Sequence, residues 1–230
     1  LFRSGGAASG SVLVAEWQTQ GRGRRGRVWH AAPGAALTFS LLWRFQQGAG
    51  ALSGLSLAIG VAVLRALARA GVEDAGLKWP NDVIWRGRKL AGMLIEMQGE
   101  VTGPSAAVIG LGLNCRLPDS VRERIDQPVV DLAQITGATP DRNRVLAILL
   151  EEMSGVLETF AQCGFAPLRE EWDRHHVYRG KPVRLTLPDA ATIDGVARGV
   201  DENGALLLDT SGGVRRVHSG DVSLRGAHAR

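Results

Sequence analysis

Residues Gly21 to Arg27 read Gly-Arg-Gly-Arg-Arg-Gly-Arg, and this run constrains the fold more than any other. Four guanidinium groups within seven residues cannot be buried without anionic partners. Three glycines in the same stretch work against a helix or a strand. The run must therefore be a loop, and the chain on either side must supply the core. The composition suits a loop that wraps a multiply charged anion. Arginine makes bidentate bonds to phosphate and carboxylate oxygens, and glycine lets the backbone approach a ligand closely and adopt positive φ. Such a loop is expected to be flexible before binding and ordered afterwards. Taken alone, the run fits equally well a solvated basic loop or a segment that binds RNA without sequence preference.

The flanking sequence is patterned as alternating strands and helices. Ser11 to Trp17 reads as a short buried strand centred on Val12, Leu13 and Val14. Leu37 to Phe45 is a second strand, with Phe39, Leu41 and Trp43 on alternate positions. Leu52, Leu55, Ile59, Val63 and Leu67 recur at helical spacing and predict a helix ending near Gly71. Pro80 makes Lys78-Trp79-Pro80-Asn81-Asp82 a strand end or tight bend. Val83 to Trp85 and Leu90 to Met97 are expected to pair across a turn at Arg86-Gly87-Arg88, and Ala106 to Asn114 forms another apolar strand. Arg116 to Pro128 is polar and charged and reads as a mobile loop. Asp141 can cap a long helix carrying Val145, Leu149, Met153, Val156 and Phe160 on one face, and a second helix spans about Leu168 to His175. After about Tyr178 the alternation of Val183, Leu185 and Leu187, with turns at Asn203-Gly204 and Gly212-Gly213, predicts four or five short strands in a small β-barrel.

Composition excludes several classes. With 45% hydrophobic and 22% charged residues in 230, the chain is globular. A net charge of +4 suits anionic partners such as nucleotides or acidic proteins without singling out DNA. Cys115 and Cys163 cannot build a disulfide framework and lack metal-ligand spacing, which points to a reducing, cytoplasmic compartment. Adjacent His175 and His176 face different ways on a helix, so no metal site is expected. There is no apolar run of about 18 residues to span a membrane. Neither a Ser/His/Asp nor a Cys/His arrangement is evident, and the Gly-Lys-Ser/Thr of a phosphate-binding Walker loop is missing.

Two further segments carry chemistry. Lys89 stands directly before the apolar run Leu90 to Ile95, where a charged amine either finds an anionic partner or sits in water on a surface hairpin, and Gly92 inside that strand signals close approach of a ligand or another backbone. Gly110-Leu111-Gly112-Leu113-Asn114 places two glycines and an amide at a strand end, which can hold a nucleotide or be an ordinary strand exit.

Together these segments resemble the biotin protein ligase family. Its glycine-arginine signature stands at Gly21 to Trp29, its KWPND signature at Lys78 to Asp82, its KLAG strand at Lys89 to Gly92 and its G-x-G-x-N strand at Gly110 to Asn114. Order and spacing agree, and the likeness runs from about Val12 to Arg225, with the bacterial biotin-[acetyl-CoA-carboxylase] ligases, bifunctional repressors included, as the nearest type. The resemblance implies an α+β fold. Residues 1–178 would form a class II synthetase-like catalytic domain, a mixed central sheet flanked by helices, and residues 179–230 an SH3-like β-barrel. It implies an ATP-dependent enzyme with biotin and ATP as substrates and Mg²⁺ accompanying ATP. Biotin would be activated as biotinyl-5′-AMP and passed to a lysine of the biotin carboxyl carrier protein of acetyl-CoA carboxylase. Carried over by position, Lys89, Arg22 and Arg24 are catalytic. Gln18, Arg22, Gly23, Arg24 and Lys89 contact biotin and phosphate, and Gly92 lets the biotin head group lie against its strand. Arg27, Trp29, Asn81, Asn114 and Arg225 lie on the nucleotide side. A homodimer through a sheet edge is implied as well. The family's Ser-Thr-Asn motif belongs ahead of Leu1 and is not among these residues, and no winged helix-turn-helix is expected within this chain. A lipoyl or octanoyl ligase or transferase is the alternative of the same fold.

Overall fold

The structure is a computed structural model that describes residues 6–99, 102–187 and 191–218, together with the backbone of 223–226. Six strands form the first sheet: β1 (Val12–Ala15), β2 (Ala36–Phe45), β3 (Ala75–Lys78), β4 (Asp82–Trp85), β5 (Arg88–Gly99) and β6 (Ser105–Asn114). Their order is β1-β2-β6-β5-β4-β3. Every pairing among these strands is antiparallel. Parallel pairing, the other component of the expected mixed sheet, is confined to two isolated bridges at the sheet's margin, Leu77↔His176 and Lys89↔Val129.

Helices cover one face. α1 (Leu55–Arg69) packs on β3, β4 and β5, α4 (Arg142–Cys163) on α1 and β2, and α5 (Arg169–His175) on α1 and β3. The period-two alternation of β6 explains which face this is. Ala107, Ile109, Leu111 and Leu113 are buried in the main core with the helices, so Val108, Gly110 and Gly112 face the other way. The apolar stripe of α4 is the expected one, Val145, Leu149, Met153, Val156 and Phe160, and Asp141 caps it by accepting from the backbone N–H groups of Asn143 and Arg144.

Two elements depart from expectation. β1 is not a buried strand: Val12 is 37% and Val14 44% exposed. It lies at the sheet edge, paired on one side only, with β2. The segment 116–128 is not a structureless loop. It contains the single helical turn α2 (Asp119–Arg122), and buried Leu117 and Val121 form a small second core with Ala35. Asp131, 1% exposed, holds this segment in place. Its carboxylate accepts the N–H of Leu117 at 2.7 Å, caps α3 (Leu132–Thr136) through Gln134 N–H at 2.8 Å, and pairs with Arg122. Reading the segment's charge as solvation overlooked that partner just outside it.

The second sheet comprises β7 (Pro182–Thr186), β8 (Thr192–Val200), β9 (Leu206–Thr210), β10 (Gly213–Val217) and β11 (Ser223–Gly226), in the order β10-β9-β8-β7-β11. Its inward residues Val183, Leu185, Ala197, Leu206 and Leu208 belong to the same continuous core as the helices. Polar links also cross the junction, among them the Asp173 carboxylate accepting from Val200 N–H at 3.0 Å. No helix among the described residues is long and apolar enough to cross a membrane.

Candidate active site

The sheet face opposite the helices carries a cavity of about 290 Å³. Its floor is made where β5 and β6 place glycine. A Cβ at Gly110 would stand 3.2 Å from the Leu94 carbonyl. One at Gly112 would lie inside the Trp29 ring, 2.5 Å from Cε2, and one at Gly92 would meet Lys89 Cε at 3.1 Å and Nζ at 3.2 Å. Two of these glycines therefore make room for the protein's own side chains, which brings Trp29 and Lys89 down onto the sheet.

Of the two readings of Lys89, an anionic partner or a solvated surface lysine, the structure shows the first. Its Nζ lies 2.6 Å from Asp82 Oδ1, with only 14% and 13% of the two side chains exposed. Its main chain is fixed as firmly: Lys89 N–H donates to the Pro128 carbonyl, and its own carbonyl accepts from Val130 N–H and the Asn114 amide. The ammonium also stands 6.0 Å from the Trp29 ring centroid, within cation–π range.

The glycine-arginine run closes over this floor as an ordered loop. Arg22 and Val28 bridge antiparallel, Gly23 N–H donates to the Arg27 carbonyl at 2.7 Å, and Arg24–Gly26 forms one 3-10 turn with Arg25 (φ 59°) and Gly26 (φ 72°) in the left-handed region. The regular turn was not expected. Among Gly21, Gly23 and Gly26 only Gly26 uses positive φ. Gly21 serves close approach instead, since a Cβ there would be 2.5 Å from the Trp29 carbonyl. Arg24 reaches across to Asn81, donating to its Oδ1 at 3.4 Å, while Asn81 Nδ2 donates to the Met93 carbonyl at 2.6 Å. The structure thus brings together Gln18, Arg22, Gly23, Arg24, Arg27, Trp29, Asn81, Lys89, Gly92 and Asn114 around one cavity. Asn114 is 2% exposed, and its amide nitrogen is engaged with the carbonyls of Lys89 and Val130. Arg225 lies in β11 opposite Arg184, and its side chain falls outside the described residues.

Sequence reasoning missed Asp82 and the wall formed by Ile125, Gln127 and Val129. The signal for Asp82 was the hairpin itself, which sets Asp82 across from Gly92. The wall had no signal in local pattern, because residues 123–127 pass through a turn and a bend rather than a strand. Electrostatically the cavity favours anions: Arg22, Arg24, Arg27 and Lys89 line it with only two carboxylates, Asp82 and Glu96. The Trp29 indole N–H is buried there without a hydrogen-bond partner. No group of three His, Cys, Asp or Glu among the described residues could hold a metal ion.

A second, larger depression of about 540 Å³ lies beside Ala35, Cys115 and Arg142 and contains none of the motif residues named above. Its arginines are engaged, Arg116 with Thr139 and Arg142 with Glu16. Burial pushes the Cys115 thiol up to about 11, so it is protonated and unreactive near neutrality.

Known proteins resemble the chain in sequence and in fold. Residues 1–114 match the Biotin/lipoate A/B protein ligase family, and residues 179–225 match the Biotin protein ligase C terminal domain. The chain is 39% identical to the bifunctional ligase/repressor BirA of Escherichia coli over 99% of its own length and 70% of that protein's. It is 38% identical to a biotin–[acetyl-CoA-carboxylase] ligase of Mycobacterium tuberculosis, over 95% and 80% of the respective lengths. Among solved structures, the biotin protein ligase of Aquifex aeolicus in complex with biotin and ATP superposes with a TM-score of 0.84 at 31% identity, covering 98% of this chain and 93% of that one.

Proposed function

The chain belongs to the biotin protein ligase family, and from that premise we propose how its cavity performs the ligation. The observation that carries the proposal is the set of four cations above a glycine floor, with Lys89 fixed at its centre. In the first half-reaction a biotin carboxylate oxygen attacks the α-phosphorus of ATP. The new O–P bond forms biotinyl-5′-AMP as the bond to pyrophosphate breaks. Two anionic groups must meet for this to happen. Fixed cations lower that barrier by positioning and by stabilising the charge on the phosphate in the transition state, and no protein nucleophile is required. Lys89, Arg22 and Arg24 supply those cations. Gln18, Gly23 and Gly92 complete the biotin side, while Arg27, Trp29, Asn81, Asn114 and Arg225 serve the nucleotide side.

In the second half-reaction the amine of a carrier lysine attacks the acyl carbon of the mixed anhydride. The amide bond forms and AMP leaves. The carrier that fits the reading is the biotin carboxyl carrier protein of acetyl-CoA carboxylase. Asp82 and Glu96 are too few to cage a metal, which fits Mg²⁺ held chiefly by phosphate oxygens and water, where it would neutralise phosphate charge. The reading further assigns residues 1–178 to catalysis and 179–230 to the C-terminal domain, places the protein in the cytoplasm, and includes a homodimer formed through a sheet edge. The lipoyl alternative finds no support, because residues 179–225 match a domain named for biotin ligation and the relatives described are biotin ligases. Incubating the protein with biotin, ATP, Mg²⁺ and the carrier domain should yield an avidin-reactive carrier. A carrier labelled by lipoate and not by biotin would overturn the assignment.

A further inference from the structure

We propose that Trp79 is a positioning residue through which the C-terminal sheet fixes the Asp82–Lys89 pair. Its indole is fully buried, and Nε1 donates to the carbonyl of Gly204 at 3.0 Å, 125 residues away in the turn between β8 and β9. That turn is rigid on its own account. Asp201 Oδ1 accepts the N–H groups of Asn203 and Ala205 at 3.0 and 2.9 Å, and Gly204 N–H donates to the Asp201 carbonyl. It is also seated backbone on backbone. A Cβ at Gly204 would be 2.8 Å from Gly54 Cα and 2.9 Å from Leu57 Cδ1, at the start of α1. The acceptor that Trp79 finds is therefore a fixed point of the neighbouring sheet.

From Trp79 the constraint passes directly into the site. Ser56 Oγ holds the Pro80 carbonyl at 3.0 Å, and Asn81 is tied to Met93 on both sides, through its carbonyl at 3.0 Å and its amide at 2.6 Å. The next residue is Asp82, 2.6 Å from the Lys89 ammonium. A buried tryptophan N–H needs some acceptor in any fold. Here the acceptor belongs to a different sheet, and the residues that follow carry the cavity's Lys89 contact. A displacement of about an ångström at such a point can slow chemistry by about 100-fold.

The kinetic part of the test rests on the ligase reading, and the exchange part does not, so the two can fail separately. Trp79→Phe removes the donor and keeps most of the ring. Well below the melting temperature, hydrogen exchange of amides in 78–93 should accelerate about tenfold while β1 and β2 stay as in the parent. The kcat of biotin-dependent pyrophosphate release should fall about 10- to 100-fold, with KM for biotin and ATP within about twofold. Combined with Lys89→Ala, the loss should be no greater than for Lys89→Ala alone. Trp85→Phe is the matched control: it removes an indole bond to the Glu73 carbonyl at the exposed end of the same hairpin, and it should leave both readouts at parental values. Parental exchange in 78–93, a parental kcat, or an additive double mutant would each overturn the proposal. If Trp79→Phe does not fold, Gly204→Ala, whose Cβ would press on Gly54 Cα and Leu57 Cδ1 and so shift the turn that carries the acceptor carbonyl, is judged by the same outcomes.

Discussion

A lysine ammonium this enclosed, 2.6 Å from Asp82 and above Gly92, is held in one place before any substrate arrives. Its removal should therefore slow the chemistry, and it also leaves Asp82 unpaired at some cost in stability. Lys89→Ala is expected to slow adenylate formation by ~10²–10³-fold, the effect of losing one preorganised charge donor, with an unchanged circular dichroism spectrum; a pyrophosphate-release rate near the parental one would remove Lys89 from the mechanism. Arg24 has a different task, since it spans from the glycine-arginine loop to Asn81. Arg24→Gly should loosen that closure and let the reactive adenylate escape. A loss of ~2–3 kcal/mol of hold corresponds to a release roughly 30- to 150-fold faster, read as avidin-detectable labelling of a bystander protein such as albumin. Labelling no greater than the parent's, with adenylate still formed, would show that Arg24 is no clasp. Lys89 and Arg24 were legible because each is a charge in a place where charge needs explaining. Asp82 was not, since a lone aspartate after Pro-Asn looks like turn chemistry until the hairpin register sets it beside the lysine.

Among the elements, the glycine-arginine loop and the segment 116–128 were read with unequal success, for one reason. The local composition of the loop already forbade ordinary helix or strand, and the three motifs that accompany it were needed to place it at a cavity. The 116–128 segment owes its order to a residue outside it. Asp131 contributes an ion pair to Arg122, a hydrogen bond to Leu117 and the cap of α3, none of which shows in local periodicity. Asp131→Asn should cost about 2 to 3 kcal/mol, because it strips the charge from a buried carboxylate and leaves Arg122 with only the exposed Asp119 as counterion; chemical denaturation checks this, and an unchanged midpoint would contradict it. The loop, for its part, should gain protection on binding. Hydrogen exchange of residues 21–29 is expected to slow when biotinyl-5′-AMP is added, because the anion removes arginine repulsion and supplies acceptors. Equal protection with and without the adenylate would mean that the loop is fully set in advance.

At the level of the whole molecule, the two sheets share one core, and His176 lies at the junction. It is 5% exposed, packs at a tilt on Trp172 with ring centroids 4.7 Å apart, and among the described residues has no hydrogen-bond partner for either ring nitrogen. Burial first, and then Arg179 and Lys181, push it down from 6.5 to about 4. A base depressed in the folded state contributes stability that is present above about pH 6.5 and lost as pH falls toward 4, roughly 3 kcal/mol at most. His176→Phe should flatten that acid limb of the melting curve, and an unchanged limb would assign it to other groups. The number of strands in the second sheet and its turns at Asn203-Gly204 and Gly212-Gly213 could be read from local pattern. Its docking could not, because the contacts that make it, Trp79 to Gly204 and Asp173 to Val200, join residues too far apart in sequence for periodicity to connect. Both half-reactions depend on activation of biotin by ATP, and pyrophosphate release from ATP with and without biotin tests that activation most directly. The cavity described here predicts release that requires biotin and is accompanied by biotinyl-5′-AMP. Release at the same rate without biotin, or none with it, would contradict a biotin-activating cavity.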